Sequence, residues 1–215
     1  MEIETSGETL LTHRQVLIKT SEYFDKCLKP PFRESQGRIT FQDIAPKYLA
    51  LYIGLAYKHA SIGSLTAPDF GVNKVERMRE TGVTGKMLDF VEVYKLCDRF
   101  VSHELGEWAQ GAITGIIKSM HSILLGWQQD AGLQKMWMKE VAEAYEALEL
   151  GSSVQTKMGE NMVLYFGESI NHKVWMDNAG ELEDKRRFVL AVSQYFAGRL
   201  AQALATKRIK RALLK

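Results

Sequence analysis

Two kinds of hydrophobic spacing divide this chain of 215 residues: period-two runs and helical runs are interleaved near its start, and after Ile117 only helical spacing remains. Ile3 and Thr5, then Thr9, Leu10 and Leu11, flank Ser6-Gly7-Glu8, a turn signal between two short extended runs, which predicts a hairpin. From His13 the spacing is helical, with Val16 and Leu17, then Ser21 as N-cap for a second short helix carrying Tyr23, Phe24, Cys27 and Leu28, stopped by Pro30-Pro31. Arg38-Ile39-Thr40-Phe41-Gln42 alternates and predicts a third strand. Asp43 through Pro46 then launches a helix whose core-facing stripe is Leu49, Tyr52, Ile53 and Ala56.

Residues 60 to 86, with Gly63, Pro68, Gly71, Gly82 and Gly85 among polar residues, predict a long surface loop with a short helix around Val75 to Met78. A helix follows with the stripe Met87, Phe90, Val91, Tyr94, Cys97 and Phe100, and Ser102 starts another with Leu105, Trp108, Ala109 and Ile113. Trp137, Val141, Ala144 and Leu148 keep helical spacing, as do Phe188, Val192, Phe196 and Leu200. The expectation is an α+β region followed by an α-helical one, with no internal repeat.

The chemistry-bearing residues do not assemble into a motif. Gly82-Val-Thr-Gly85-Lys86 resembles a phosphate-binding loop, but Glu80-Thr81 stands where the first glycine is needed and Met87 where Ser or Thr must hold magnesium. The five histidines, His13, His59, His103, His121 and His172, have no metal-motif spacing to one another, to Cys27 and Cys97, or to a carboxylate. Cys97 lies on an apolar stripe, where a thiol is a small hydrophobe. Neither catalytic residue, metal nor cofactor is expected, and an enzyme would need a site built from scattered residues.

A formal net charge of +2, from 28 cationic and 26 anionic residues, gives no global field for nucleic acid or membranes. The local exception is Lys207, Arg208, Lys210, Arg211 and Lys215, which suits either a helix C-terminus or an anion-facing tail, the second leaving a DNA-associated regulator as an alternative. The start lacks a secretory h-region, no run is apolar over the ~20 residues a bilayer needs, and two cysteines suit a reduced compartment. A cytoplasmic or nuclear protein is expected.

His13-Arg14-x-x-Leu17, Ser21-x-Tyr23-Phe24, Phe32-x-Glu34-Ser35, Ile39-x-Phe41-x-Asp43-Ile44-x-Pro46, Tyr52-x-x-x-x-Tyr57 and Val93-Tyr94-x-Leu96-Cys97-Asp98-x-Phe100 occur in an order that resembles the BTB/POZ domain. The resemblance covers residues 1–118, with an insert at about 60–86, and is strongest to fungal members, which continue into a helical region, here 119–215. It implies a small three-stranded sheet with helices and a non-catalytic protein-interaction module. It also implies that His13 and Arg14 form the buried start of the first helix and that Tyr23 and Phe24 are core aromatics. Phe32 and Glu34 match the hydrophobic-x-Glu element with which ligase adaptors of the family meet a cullin-type ubiquitin ligase scaffold. The chain starts inside the first strand, without the preceding helix of the family dimer, so a monomer or weak, non-standard self-association is expected.

Overall fold

The computed structural model describes residues 1–63, 86–126 and 131–213. The loop expected at 60–86, its short helix and the Gly82–Gly85 turn lie almost entirely outside them. The chain divides into two compact units, Met1–Ile113 and Thr114–Lys215. The protein is mixed α and β, and all three strands of the described residues lie in the first unit.

Strands β1 (Glu2–Thr5) and β2 (Glu8–Leu11) pair antiparallel, with Ile3 opposite Leu10. Ser6 and Gly7 between them both have positive φ, +23° and +89°, the handedness that two-residue hairpin turns require. Strand β3 (Arg38–Phe41) lies parallel to β1 on its other edge, giving the order β2-β1-β3 with Ile3 opposite Ile39 and Thr5 opposite Phe41. A parallel pair needs a crossover, and residues 12–37 supply it through helices α1 (Arg14–Thr20) and α2 (Glu22–Cys27). Alternation decides the faces: Ile3, Thr5, Ile39 and Phe41 are buried, while Glu2, Arg38 and Thr40 are exposed.

Helix α3 (Pro46–Ile62) starts with Pro46 in its first turn and ends at Gly63, whose φ of +78° allows its N–H to close on His59 O at 2.9 Å. Its predicted stripe, Leu49, Tyr52, Ile53 and Ala56, is buried. Helix α4 (Lys86–Arg99) buries Met87, Phe90, Val91, Tyr94 and Cys97. Phe100, just beyond it, is the hub of the core, with ring centroids 4.9 Å from Phe24, 5.1 Å from Tyr52 and 5.2 Å from Phe41. The N-cap of α2 is tied to that hub: Ser21 Oγ accepts from Phe24 N at 3.1 Å and donates to Phe100 O at 2.6 Å. Helix α5 (His103–Gly126) follows with Leu105, Trp108, Ala109 and Ile113 buried.

In the second unit, α6 (Ala131–Glu146), α7 (Ser153–Ser169), α8 (His172–Asn178) and α9 (Arg186–Leu213) enclose Trp137, Phe166, Trp175 and Phe188. Trp137 stacks on Phe166 at 4.9 Å, and Phe188 meets Phe166 edge-on at 5.1 Å. Glu146, at the end of α6, serves the first turn of α9: its carboxylate accepts from Phe188 N at 2.9 Å and from Arg187 Nε at 2.7 Å. An orphan helix N–H and a guanidinium thus share one acid.

Several expectations need correction. His13 is exposed rather than buried, because Tyr57 holds it at the surface: the Tyr57 hydroxyl lies 2.8 Å from His13 N and 2.5 Å from Nδ1. Tyr23 and Cys27 are half-buried. Helix α2 ends at Cys27, ahead of the prolines, and β3 ends at Phe41. The stripe read through Phe188, Val192, Phe196 and Leu200 holds only at its start: Phe196 is half-buried and Leu200 is 63% exposed. Steps of four residues advance ~400° around a helix of 3.6 residues per turn, so each step drifts ~40° and Leu200 has rotated off the buried face.

Candidate functional site

The connection from α2 to β3 is held by short-range backbone bonds, among them Phe32 N to Lys29 O at 3.2 Å, and by one side chain from outside it. Arg14, in the first turn of α1, donates to Ser35 O at 3.1 Å and to Leu28 O, so its guanidinium holds both ends of the segment that contains Phe32 and Glu34. Proline cannot continue α2, and after Pro30-Pro31 the chain makes a single 3-10 turn, Arg33–Gln36, with Phe32 at its N-cap position. Ser35 N bonds to Phe32 O at 3.1 Å and Gly37 N to Glu34 O at 2.9 Å. Gly37 then needs its φ of +92° to turn into β3, where Glu2 N bonds to Gly37 O at 2.8 Å.

This places Phe32 outward, 53% exposed, while the neighbouring aromatics Phe24 and Phe41 are buried. Arg33 beside it is exposed and Glu34 is half-buried. Glu34 is near enough to act on two neighbours: burial first and its carboxylate second push the Cys27 thiol up to about 11, and it also contributes to raising Tyr23. Phe32 and Arg33 are therefore the accessible pair, with Glu34 as a partly covered acid behind them. A loop whose backbone is already fixed needs little further ordering on docking, and an exposed aromatic on it suits a protein contact.

A second feature of the same unit is a cleft of about 300 Å³ between the α1–α2 corner, the end of α3 and the start of α5. His59 Nε2 lies 2.5 Å from Glu104 and His103 Nε2 lies 3.7 Å from Glu22 along its wall. Ser21 lines it too, but its hydroxyl is committed to Phe100 O and to the cap of α2. Burial pushes the Cys97 thiol up, and among the described residues no cluster of three or more His, Cys, Asp or Glu could hold a metal ion. Each histidine of the cleft thus faces an acid, and His59 Nδ1 is buried without a hydrogen-bond partner.

Spacing alone did not identify Arg14 as the residue that fixes the loop, since its partners Leu28 and Ser35 are carbonyls that leave no trace in side-chain type. Nor did it bring His59 to Glu104, which lie on different helices. None of the described helices is long and apolar enough to cross a membrane. No protein-family model matches the chain, and no curated protein matches it.

Proposed function

We propose that residues 1–118 act as a protein-interaction module of the BTB/POZ type, with Phe32, Arg33 and Glu34 as its docking surface and a cullin-type ubiquitin ligase scaffold as its partner. The observation that carries the reading is Phe32, an exposed aromatic at the head of a loop whose two ends are held by one arginine. The β2-β1-β3 order and the crossover of two short helices are in keeping with it. So is the chemistry of the loop, which offers an apolar anchor, a cation and an acid and holds no group poised for catalysis.

The test is calorimetric titration of the full chain with a cullin N-terminal domain, beside thermal melting. Phe32→Ala/Glu34→Ala should leave melting nearly unchanged and weaken binding by ~2 kcal/mol or more, the scale of an interface hot spot. No binding by the unsubstituted chain removes the cullin scaffold as partner. Unchanged binding by the variant removes the loop.

A further inference from the structure

Helix α9 is packed on one face as far as Phe196, and beyond that point residues 197–207 are exposed on every side. Phe188 and Val192 are buried, whereas Leu190, Ser193, Ala197, Leu200, Ala201 and Leu204 are all exposed, the three leucines by 60%, 63% and 51%. Leu190, Ala197 and Leu204 are seven residues apart, and Ser193 and Leu200 fall three residues after the first two, the spacing of a seam that packs against another helix. From Leu190 to Leu204 the seam is about 21 Å long at 1.5 Å per residue.

Charge decides what fits it. No Asp or Glu occurs between Arg186 and Leu213, while Arg186, Arg187, Arg199, Lys207, Arg208, Lys210 and Arg211 do. Arg186 lies four residues before Leu190 and Lys207 three after Leu204, both exposed, so the apolar seam has a cation at each end. A second copy of the helix is a poor occupant: antiparallel pairing sets Arg186 against Lys207, and parallel pairing sets Arg186, Arg199 and Lys207 each against its own copy. A phosphate backbone leaves Leu190, Leu200 and Leu204 without apolar partners.

We propose that this outer face of α9 docks an acidic amphipathic helix of another protein, leucine-type side chains filling the seam and carboxylates meeting Arg186 and Lys207. The site is separate from the Phe32 loop and does not depend on the reading given to it. A single-helix seam of this length falls at the small end of interfaces, below about 1,200 Å² of buried surface, so micromolar binding is expected.

The probe is a labelled 21-residue peptide with Leu at heptad positions a and d and Glu at e and g, against a counterpart with Lys for Glu, titrated into the full chain by fluorescence anisotropy. The Glu peptide should bind with micromolar Kd, weaken with added salt, and bind at least tenfold more weakly to Leu200→Ser/Leu204→Ser, whereas the Lys peptide should not bind. Charge reversal, Arg186→Glu/Lys207→Glu, should shift preference toward the Lys peptide and stands in if the serine variant melts early. Equal binding of both peptides, or none below 100 µM, overturns the proposal. So does a dimer of the unsubstituted chain that the serine variant loses, which would assign the seam to a second copy. Tighter binding to duplex DNA or to phosphatidylserine vesicles than to the Glu peptide, unchanged in the serine variant, would assign the cations to phosphate and also overturn it.

Discussion

The ring of Tyr195 lies directly over Gly167, so that a methyl group on the Gly167 Cα would sit 2.9 Å from Tyr195 Cζ and closer still to Cδ1 and Cε1. Gly167 is on α7 and Tyr195 on α9, and the close approach of the two helices depends on the missing side chain. Gly167→Ala should therefore destabilise the protein by ~1–3 kcal/mol despite the better helix propensity of alanine. Urea titration of the single and double variants checks it. With Tyr195→Ala the obstruction is gone, and Gly167→Ala should cost nothing further; an equal cost in both backgrounds places the strain elsewhere.

Glu146 makes the second unit acid-sensitive in a defined direction. Burial raises its carboxyl, but the Arg187 guanidinium and the Phe188 N–H outweigh that and hold it below the ordinary carboxylate value. Its stabilisation is complete above the unfolded carboxylate's pKa of about 4.3 and is lost as pH falls through the lower folded value. Glu146→Gln should lower stability at pH 7 and remove part of the pH dependence below ~4.3, read as urea midpoints from pH 7 to pH 3. Parallel pH profiles for the two proteins exclude the coupling.

What could be read from the sequence was local. The Ser6-Gly7 turn, the Ser21 cap, Pro46 at a helix start and the Met87 to Phe100 stripe each depend on neighbours within one or two helical turns, and the structure has all of them. The contacts that fix the candidate loop and the second unit are distant: Arg14 reaches Ser35, and Arg187 reaches Glu146 past α7 and α8. Polar residue types predict that such groups find partners, not which ones. Leu200 shows the other limit, since a spacing of four satisfies a helical template for two turns while the residue drifts into solvent. Pro30-Pro31 says where α2 must stop but not whether Phe32 faces the core or solvent, and the structure has it exposed.

If Arg14 fixes the loop, Arg14→Ala should loosen it more than it destabilises the fold. Two carbonyls, of Leu28 and Ser35, lose a charged donor, worth ~1.5–3 kcal/mol for hydrogen bonds of this kind. Hydrogen exchange at Ser35 and Gly37 should accelerate well beyond that of the β1 and β3 amides. Arg14→Lys should rescue little, since one ammonium does not span both carbonyls as the guanidinium fork does. Uniform acceleration across the sheet would make Arg14 a general stabiliser rather than the clamp of this loop.

Ser21 gives a prediction that runs against the usual preferences for helix starts. At an ordinary N-cap, Asp performs as well as Ser, because only an acceptor for the first N–H groups is needed. Here the hydroxyl also donates to Phe100 O at 2.6 Å in a buried setting, and that carbonyl already accepts from Tyr23 N at 3.3 Å. A carboxylate keeps the acceptor and loses the donor, and it brings a buried negative charge against a carbonyl oxygen. Ser21→Ala should cost ~2 kcal/mol, the upper end for loss of a cap, and Ser21→Asp at least as much at pH 7. Because desolvation raises the pKa of such a carboxyl, the Asp variant should recover relative to the Ala variant as pH is lowered toward 5, where the protonated acid can donate to Phe100 O. Chemical denaturation of both variants at pH 7 and pH 5 decides it. An Asp variant as stable as the unsubstituted protein at pH 7 would mean that the cap of α2 does not depend on its tie to Phe100.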